Sequence, residues 1–85
     1  MVIKVLGPGC MNCQKLEALA KRAVEELGID AQIIKVSEYS DIMAYGIMST
    51  PGLVVDEQVK VAGRVPSYED VKTVLMVAGA ARNGS

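Results

Sequence analysis

The sequence has no histidine, tryptophan or phenylalanine, and aromatic residues make up only 4% of its 85 positions. With so few rings, aliphatic side chains and the five methionines must fill the core. The chain has two cysteines. A closed zinc site normally takes four Cys or His ligands, so one copy of this chain cannot build such a site.

Long apolar runs and an excess of one charge are also missing. Nothing approaches the ~20 apolar residues of a membrane span, and the short opening MVIKVLG lacks the basic start and cleavage site of a secretory signal. Nine basic residues stand against ten acidic ones, which gives a net charge of -1. Since no basic cluster stands out, we expect neither nucleic acid nor a membrane as partner, and we predict a cytoplasmic protein.

The residues that are present suit one small globular domain. Hydrophobic residues make up 51% of the chain and charged residues 22%, which is an ordinary globular balance, and a chain of this size can bury one modest core. We predict that the domain spans 1–80 and that the small, polar stretch at 81–85 is a flexible tail. We expect a monomer that carries no cofactor.

Hydrophobic periodicity and turn residues predict seven elements in the order β-α-β-α-β-β-α. Two strand–helix–strand units predict parallel pairing, and the hairpin that follows adds antiparallel strands. The predicted fold class is therefore α/β, with a mixed four-stranded sheet flanked by three helices that cover both faces. The predicted strands are 2–6, 31–36, 52–56 and 58–63, with a tight turn at 56–57. The first predicted helix runs from Cys13 to a C-cap at Gly28. The second runs from an N-cap at Ser37 or Ser40 to Gly46, and the third begins after an N-cap at Ser67.

Apolar residues recur every three or four positions in the first and last helices, which predicts the helix faces that pack on the sheet. Methionine fills irregular gaps well, so Met43, Met48 and Met76 are also predicted to lie in the core. The predicted inward positions of the two helices are Leu16, Leu19, Ala20, Ala23, Val24, Leu27, Val71, Val74, Leu75 and Ala78.

The two cysteines, Cys10 and Cys13, stand at the start of the first helix in the motif CMNC. In a reducing cytosol a close pair is more often catalytic or metal-binding than structural, and CxxC directly after a first strand in a β-α-β pattern favours redox chemistry. The helix N-terminus favours a thiolate at Cys10 and predicts a lowered pKa for it. Cys13, one turn further in, is predicted to be more buried. Cys10 is thus the candidate nucleophile and Cys13 the candidate resolving thiol.

The loop before Cys10 is predicted to leave this sulfur uncovered. Gly7 and Gly9 flank Pro8 and allow a sharp turn from strand to helix, so that another protein can approach. Gly9 and Met11, the two chain neighbours of Cys10, are therefore candidates for contact with a substrate.

Thr50–Pro51 lies directly before a predicted strand, where proline needs a special position because it cannot donate a hydrogen bond to the sheet. In folded proteins only about 5–6% of X–Pro bonds are cis. Residue types alone therefore favour an ordinary trans turn. Tyr45 lies close enough in sequence to this loop to be a further site candidate.

Together these features resemble the thioredoxin and glutaredoxin superfamily, most of all its small redox-active disulfide proteins of archaea and bacteria. The resemblance runs from Val2 to Ala80, and CMNC and TPGLVV are its specific parts. It implies a cis Pro51 that faces the disulfide and a Thr50 whose backbone pairs with the substrate peptide. It also implies an oxidoreductase that acts on protein disulfides and receives electrons from a thiol reductase or a small thiol.

The chain departs from that superfamily at several positions. Thioredoxins carry an acid in the strand before the motif, where this chain has Lys4, so the resemblance supplies no proton acceptor for Cys13. Gly63 and the segment 67–70 faintly resemble the glutathione site of glutaredoxins.

Two other functions would use the same residues differently. GPGCMNC is similar to the loop of heavy-metal-associated domains, in which Cys10 and Cys13 would bind Cu(I) or Zn(II) as a small metal carrier. Those domains run β-α-β-β-α-β and end on a strand, whereas this chain is predicted to end on a helix. The other alternative is an adaptor whose Thr50–Pro51 face binds a partner whatever the state of the cysteines.

Overall fold

The strands and helices follow the predicted order. The structure, a computed structural model, describes residues 1–83, with side chains described up to residue 78. It confirms the predicted α/β class, with a mixed four-stranded sheet and three helices. The elements are β1 (Val2–Leu6), α1 (Met11–Leu27), β2 (Gln32–Val36), α2 (Tyr39–Ala44), β3 (Gly52–Val55), β4 (Gln58–Ala62) and α3 (Tyr68–Asn83).

The sheet has the strand order β2-β1-β3-β4. β1 pairs in parallel with β2, with Val2 opposite Gln32 and Leu6 opposite Val36, because α1 carries the chain back along the sheet between them. The sequence predicts parallel pairing for the second strand–helix–strand unit as well, and that prediction is wrong. β3 runs antiparallel to β1, with Gly52 opposite Leu6.

The connection through α2 explains this difference. β2 ends and β3 begins at the same end of the sheet, level with Leu6. α2 has six residues, which is about 9 Å of helix, whereas the five residues of β2 extend over about 17 Å. The helix therefore crosses the sheet without returning to its far end. Hydrophobic periodicity predicts that a helix follows β2 but not the end at which the chain re-enters the sheet.

β3 and β4 form an antiparallel hairpin, and the predicted turn at Asp56–Glu57 is confirmed. Both turn residues have positive φ angles, +48° and +68°, as a two-residue type I′ turn requires. The Asp56 N–H donates to the Val2 C=O at 2.8 Å, and the Asp56 carboxylate accepts the Val2 N–H at 2.9 Å. The hairpin is thus tied to the first residue of β1.

The core lies on both faces of the sheet. α1 and α3 pack on one face and α2 packs on the other, which confirms helices on both faces. All four residues of β3 are buried, since this strand has a neighbour on each side and an apolar layer on each face. The larger cluster contains Ile3, Val5, Leu16, Ala20, Ala23, Leu53, Val55, Val61, Val71 and Leu75, and the smaller one contains Leu6, Ile42, Ile47 and Val54.

Two predicted helix ends are confirmed and one prediction is wrong. Gly28, with φ +66°, caps the C-terminus of α1, and the Ser67 hydroxyl accepts a backbone N–H from the first turn of α3 at 3.2 Å. α2 has Glu38 at its N-cap, without a side-chain cap hydrogen bond, so neither Ser37 nor Ser40 holds that position. The packing of its apolar side on the sheet stabilises α2 in the absence of a capping side chain.

The prediction that the methionines fill the core is wrong. Met43, Met48 and Met76 are 67%, 101% and 55% exposed. Leucines of the helices and branched aliphatic residues of the strands occupy the core instead. The methionines are therefore surface residues, where flexible thioethers are free to contact other molecules.

The predicted division at residue 80 stays a prediction. The α3 backbone is helical to Asn83, and the predicted tail at 81–85 lies outside the residues whose side chains are described. Across the described residues, no helix is both long and apolar enough to cross a membrane.

Candidate active site

Cys10 and Cys13 form a disulfide at the N-terminus of α1, with their Cα atoms 5.0 Å apart. α1 begins at Met11, so Cys10 is its N-cap, and the Cys10 sulfur accepts the Cys13 N–H at 3.3 Å. The unpaired N–H groups of the first turn favour negative charge at this sulfur when the disulfide is reduced. Cys10 is exposed and Cys13 is only 5% exposed. This confirms the predicted order of burial and leaves Cys10 as the sulfur that another protein reaches first.

Gly7 packs directly against Cys13. A Cβ at Gly7 would overlap the Cys13 sulfur and would lie 3.1 Å from Cys13 Cβ and 3.9 Å from Thr50 Cβ. Because Gly7 has no side chain, it lets the disulfide and the Thr50 loop approach it closely. The Gly7 N–H donates to the Val36 C=O at 2.8 Å, which extends the β1–β2 pairing to the site. The positive φ in this loop is at Gly9, with +92°.

Gly9 and Met11, which the sequence predicts to meet a substrate, both lie at the surface beside Cys10. The Gly9 C=O accepts a hydrogen bond from the Gln14 side-chain amide at 3.3 Å. Met11 is 74% exposed. Both positions suit contact with a partner, and the contact itself stays a prediction.

The Thr50–Pro51 peptide bond is cis, as the resemblance implies. Pro51 is buried, and its C=O accepts the Gly63 N–H at 2.8 Å. Gly63 has φ +80°, and a Cβ there would lie 3.1 Å from Ser49 Cβ, so the proline loop lies closely against the residue that follows β4. Among the hydrogen bonds of the described residues, none is made by the Thr50 backbone. Its N–H and C=O are therefore available to an extended peptide.

An apolar groove of about 270 Å³ adjoins Thr50. Buried isoleucines and exposed methionines line it, from α2 and from the loop that leads to β3. The sequence pattern does not predict this groove, because it places the methionines in the core. A sequence signal for the groove exists, because the apolar residues around a six-residue helix cannot all face the sheet. The lining residues are Tyr39, Ile42, Met43, Ile47, Met48 and Thr50.

A smaller cavity of about 70 Å³ is lined by Cys13 and by polar residues of α1, β2 and the residue after β2. One of these is Glu17, whose side chain is only 17% exposed. Its carboxylate oxygens lie 3.6 Å from Lys21 Nζ and 3.8 Å from Lys35 Nζ. The sequence does not distinguish Glu17, because by spacing alone it is one more charged residue on the polar side of α1.

Lys4 and Tyr45 lie in a separate polar cluster. Lys4 Nζ donates to the Glu57 carboxylate at 2.6 Å and to the Tyr45 hydroxyl at 2.7 Å. The hydrogen bond between Lys4 and Glu57 lowers the pKa of Glu57 from 4.5 and raises the pKa of Lys4 from 10.5. Lys4 alternates with Val5 along β1 and so faces the α2 side of the sheet. Tyr45, the further site candidate, is thus engaged with Lys4 and Glu57.

The fold gives the metal-carrier alternative no support. In the part of the chain that the structure describes, no group of three or more His, Cys, Asp or Glu side chains is placed to hold a metal ion. The described chain also ends on a helix after a strand hairpin, which is not the element order of heavy-metal-associated domains.

Comparisons with known proteins agree with this geometry. The family described as "Thioredoxin domain" matches residues 1–76. A thioredoxin of Methanothermobacter thermautotrophicus is 48% identical over 75 residues, which cover 88% of this chain and 97% of that protein. A thioredoxin of Methanocaldococcus jannaschii is 40% identical over 75 residues, which cover 88% of this chain and 86% of that protein.

Proposed function

Since the chain belongs to the thioredoxin family, we propose that its Cys10–Cys13 pair reduces disulfide bonds in other proteins. The chain is a dithiol–disulfide oxidoreductase. The observation that carries the proposal is an exposed Cys10 at a helix N-terminus with a buried Cys13 one turn behind it. An exposed sulfur at such a position is accessible and favoured as a thiolate, which is the reactive form in thiol–disulfide exchange.

The proposed reaction has two exchange steps and transfers two electrons. The Cys10 thiolate attacks one sulfur of the substrate disulfide, forms a mixed disulfide and releases the other sulfur as a thiolate. Cys13 then loses its proton, attacks the Cys10 sulfur and displaces the second substrate thiolate. The substrate takes up one proton from Cys13 and one from solvent, and the Cys10–Cys13 disulfide remains.

The substrate peptide is proposed to bind along the Thr50–Pro51 loop. The Thr50 backbone is free of hydrogen bonds within the described residues, so it can pair with an extended segment of a partner. The adjacent groove would take an apolar side chain of that segment against Met43 and Met48. Gly9 and Met11 would contact the partner on the other side of Cys10.

Turnover requires a donor that returns two electrons to the Cys10–Cys13 disulfide. An upstream thiol reductase or a small thiol would supply them by the reverse exchange. The protein would work in a reducing compartment such as the cytoplasm, where such donors keep thiols reduced.

A trapping experiment tests the roles of the two cysteines. When Cys13 is replaced by serine, a reduced Cys10 should form a mixed disulfide with a small disulfide-bonded protein such as insulin, and no second exchange should release it. The matched Cys10→Ser variant should trap far less, because its remaining thiol is buried. Mass spectrometry of the alkylated products identifies the bond. Equal trapping by both variants, or a wild type that does not reduce insulin with a dithiol donor, contradicts the proposal.

The same variants separate the adaptor alternative. An adaptor would bind its partner equally well with Cys10→Ser and would form no covalent intermediate. Loss of both reduction and covalent capture in Cys10→Ser supports the oxidoreductase.

A further inference from the structure

The second exchange step requires that Cys13 give up its proton. The reactive form is the thiolate, and an ordinary cysteine has a pKa of ~8.5. Cys13 is only 5% exposed, so bulk water has little access to its thiol. An acceptor group close to Cys13 would therefore speed this step.

We propose that Glu17 is the proton acceptor for Cys13 and that water in the cavity between them carries the proton. Glu17 follows Cys13 by four residues on α1, so the two side chains lie one turn apart on the same side of the helix. Both residues line the cavity of about 70 Å³. Water needs about 10–15 Å³ of such space and two to four polar partners. Gln14, Lys35 and Ser37, which also line the cavity, supply these partners.

The surroundings of Glu17 hold its carboxylate at the cavity wall. Its side chain is 17% exposed, and Lys21 from α1 and Lys35 from β2 lie within 4 Å of its oxygens. Among the described residues, these two lysines are the charged side chains paired with Glu17, and the Cys13 thiol lines the same cavity. Glu57, by contrast, is bound to Lys4 on the α2 side of the sheet and does not line this cavity.

This inference rests on the proposed function, in which Cys13 resolves the mixed disulfide. The proton passes from Cys13 Sγ through water to the Glu17 carboxylate. The Cys13 thiolate attacks the Cys10 sulfur, and the bond from Cys10 to the substrate sulfur breaks, with the electron pair leaving on the substrate. The protonated Glu17 then returns the proton to the departing thiolate or to solvent. The two electrons come from the protein thiols, so the step consumes no other reductant.

Stopped-flow kinetics with an aryl disulfide tests the inference. Reduced protein attacks dithiobis(nitrobenzoate) and releases one coloured thiolate when Cys10 reacts and a second when Cys13 resolves the mixed disulfide. Only the second phase is independent of reagent concentration. Glu17→Gln should slow this second phase about a hundredfold at neutral pH, the lower end of typical general-base effects, and leave the first phase unchanged. The difference should disappear above the ordinary thiol pKa of ~8.5, where hydroxide removes the proton.

The matched control is Glu25→Gln, which removes the same charge from an exposed position two turns further along α1. It should follow the wild type in both phases and at every pH. An unchanged first phase in Glu17→Gln also shows that this variant is folded. A second phase in Glu17→Gln with the wild-type rate and pH profile overturns the role of Glu17. A wild type without a second, reagent-independent phase overturns the proposed function itself.

Discussion

Gly7 is the residue at which the disulfide, the proline loop and the end of β1 meet. The Cys13 sulfur occupies the space that a side chain at Gly7 would fill, and Thr50 Cβ would lie 3.9 Å from a Cβ placed there. A well-packed site of this kind does not absorb an added methyl group without movement of its neighbours. The position of Cys13 relative to the substrate loop therefore depends on this glycine.

Gly7→Ala should lower the free energy of unfolding by about 1–3 kcal/mol, the usual cost of overpacking, and should also change the rate at which dithiothreitol reduces the Cys10–Cys13 disulfide. Urea unfolding and quenched-flow alkylation measure the two effects. Gly28→Ala, at the far end of α1, is the control, because a Cβ at Gly28 meets nothing within 4 Å and only its φ of +66° is unfavourable. It should lose stability without a change in the reduction rate. A Gly7→Ala disulfide that is reduced at the wild-type rate contradicts this account.

Within the site, the relative placement of residues close to each other in the sequence was predictable. The CxxC spacing places Cys10 before the first helical turn and Cys13 within it, so their order of burial follows from helix geometry alone. The contact between Gly7 and Cys13 and the burial of Glu17 depend on how α1 lies against β1 and β2. Hydrophobic periodicity specifies which side of a helix faces the sheet but not the distances between individual side chains.

At the scale of elements, the connection from α2 to β3 reverses the chain and holds the loop to which the substrate is proposed to bind. It brings the chain back to the sheet at the end where β2 left it, presents the cis Thr50–Pro51 bond, and exposes Met48, which lines the same groove as Met43 of α2. The groove adjoins Thr50, and an exposed apolar groove is typical of a surface that binds other proteins.

Met48→Ser should raise the KM for a disulfide-bonded protein about tenfold, because the loss of one buried methionine contact is worth about 1.4 kcal/mol or more. Met48 is fully exposed in the free protein, so its stability should not change. The reaction with dithiobis(nitrobenzoate), which is too small to fill the groove, should keep its rate. Met76→Ser, also exposed but on α3, should leave all three quantities unchanged. Equal effects of the two substitutions on KM would argue against this groove.

The cluster of Lys4, Tyr45 and Glu57 joins β1, the end of α2 and the hairpin turn. Glu57 has a pKa lowered from 4.5, chiefly by the hydrogen bond from Lys4, so its stabilising contribution is present above pH 4.5 and is lost as the pH falls through the lowered value. Lys4 has a raised pKa, so its contribution is present below pH 10.5 and is lost only as the pH rises through the raised value.

The urea midpoint of Lys4→Met should therefore be lower than that of the wild type by a constant amount near neutral pH. This difference should shrink in acid below pH 4.5. Urea titrations at a series of pH values measure it. Lys60→Met serves as the control, because Lys60 Nζ donates to the uncharged Gln58 amide at 3.0 Å. Its difference from the wild type should not depend on pH in this range. A Lys4→Met difference that stays constant in acid contradicts the assignment.

At the scale of the whole molecule, α1 and α3 cover one face of the sheet and α2 covers the other, while the active site forms at one end of β1. The element order and the helix sides were predictable because each element has a regular apolar repeat. The antiparallel entry of β3 and the exposure of the methionines were not. Both depend on where a short connection crosses the sheet and on how much core volume the aliphatic residues already fill.

In the proposed function, the Cys10–Cys13 dithiol reduces other proteins and becomes a disulfide, which a donor reduces again. The most direct measurement is a redox titration of the metal-free protein in defined thiol–disulfide buffers, with the state of both cysteines read by mass after alkylation. We expect one reversible two-electron transition near or below about -220 mV, the range of a dithiol that acts as a cytosolic reductant. A protein that forms no reversible intramolecular disulfide under these conditions would contradict it.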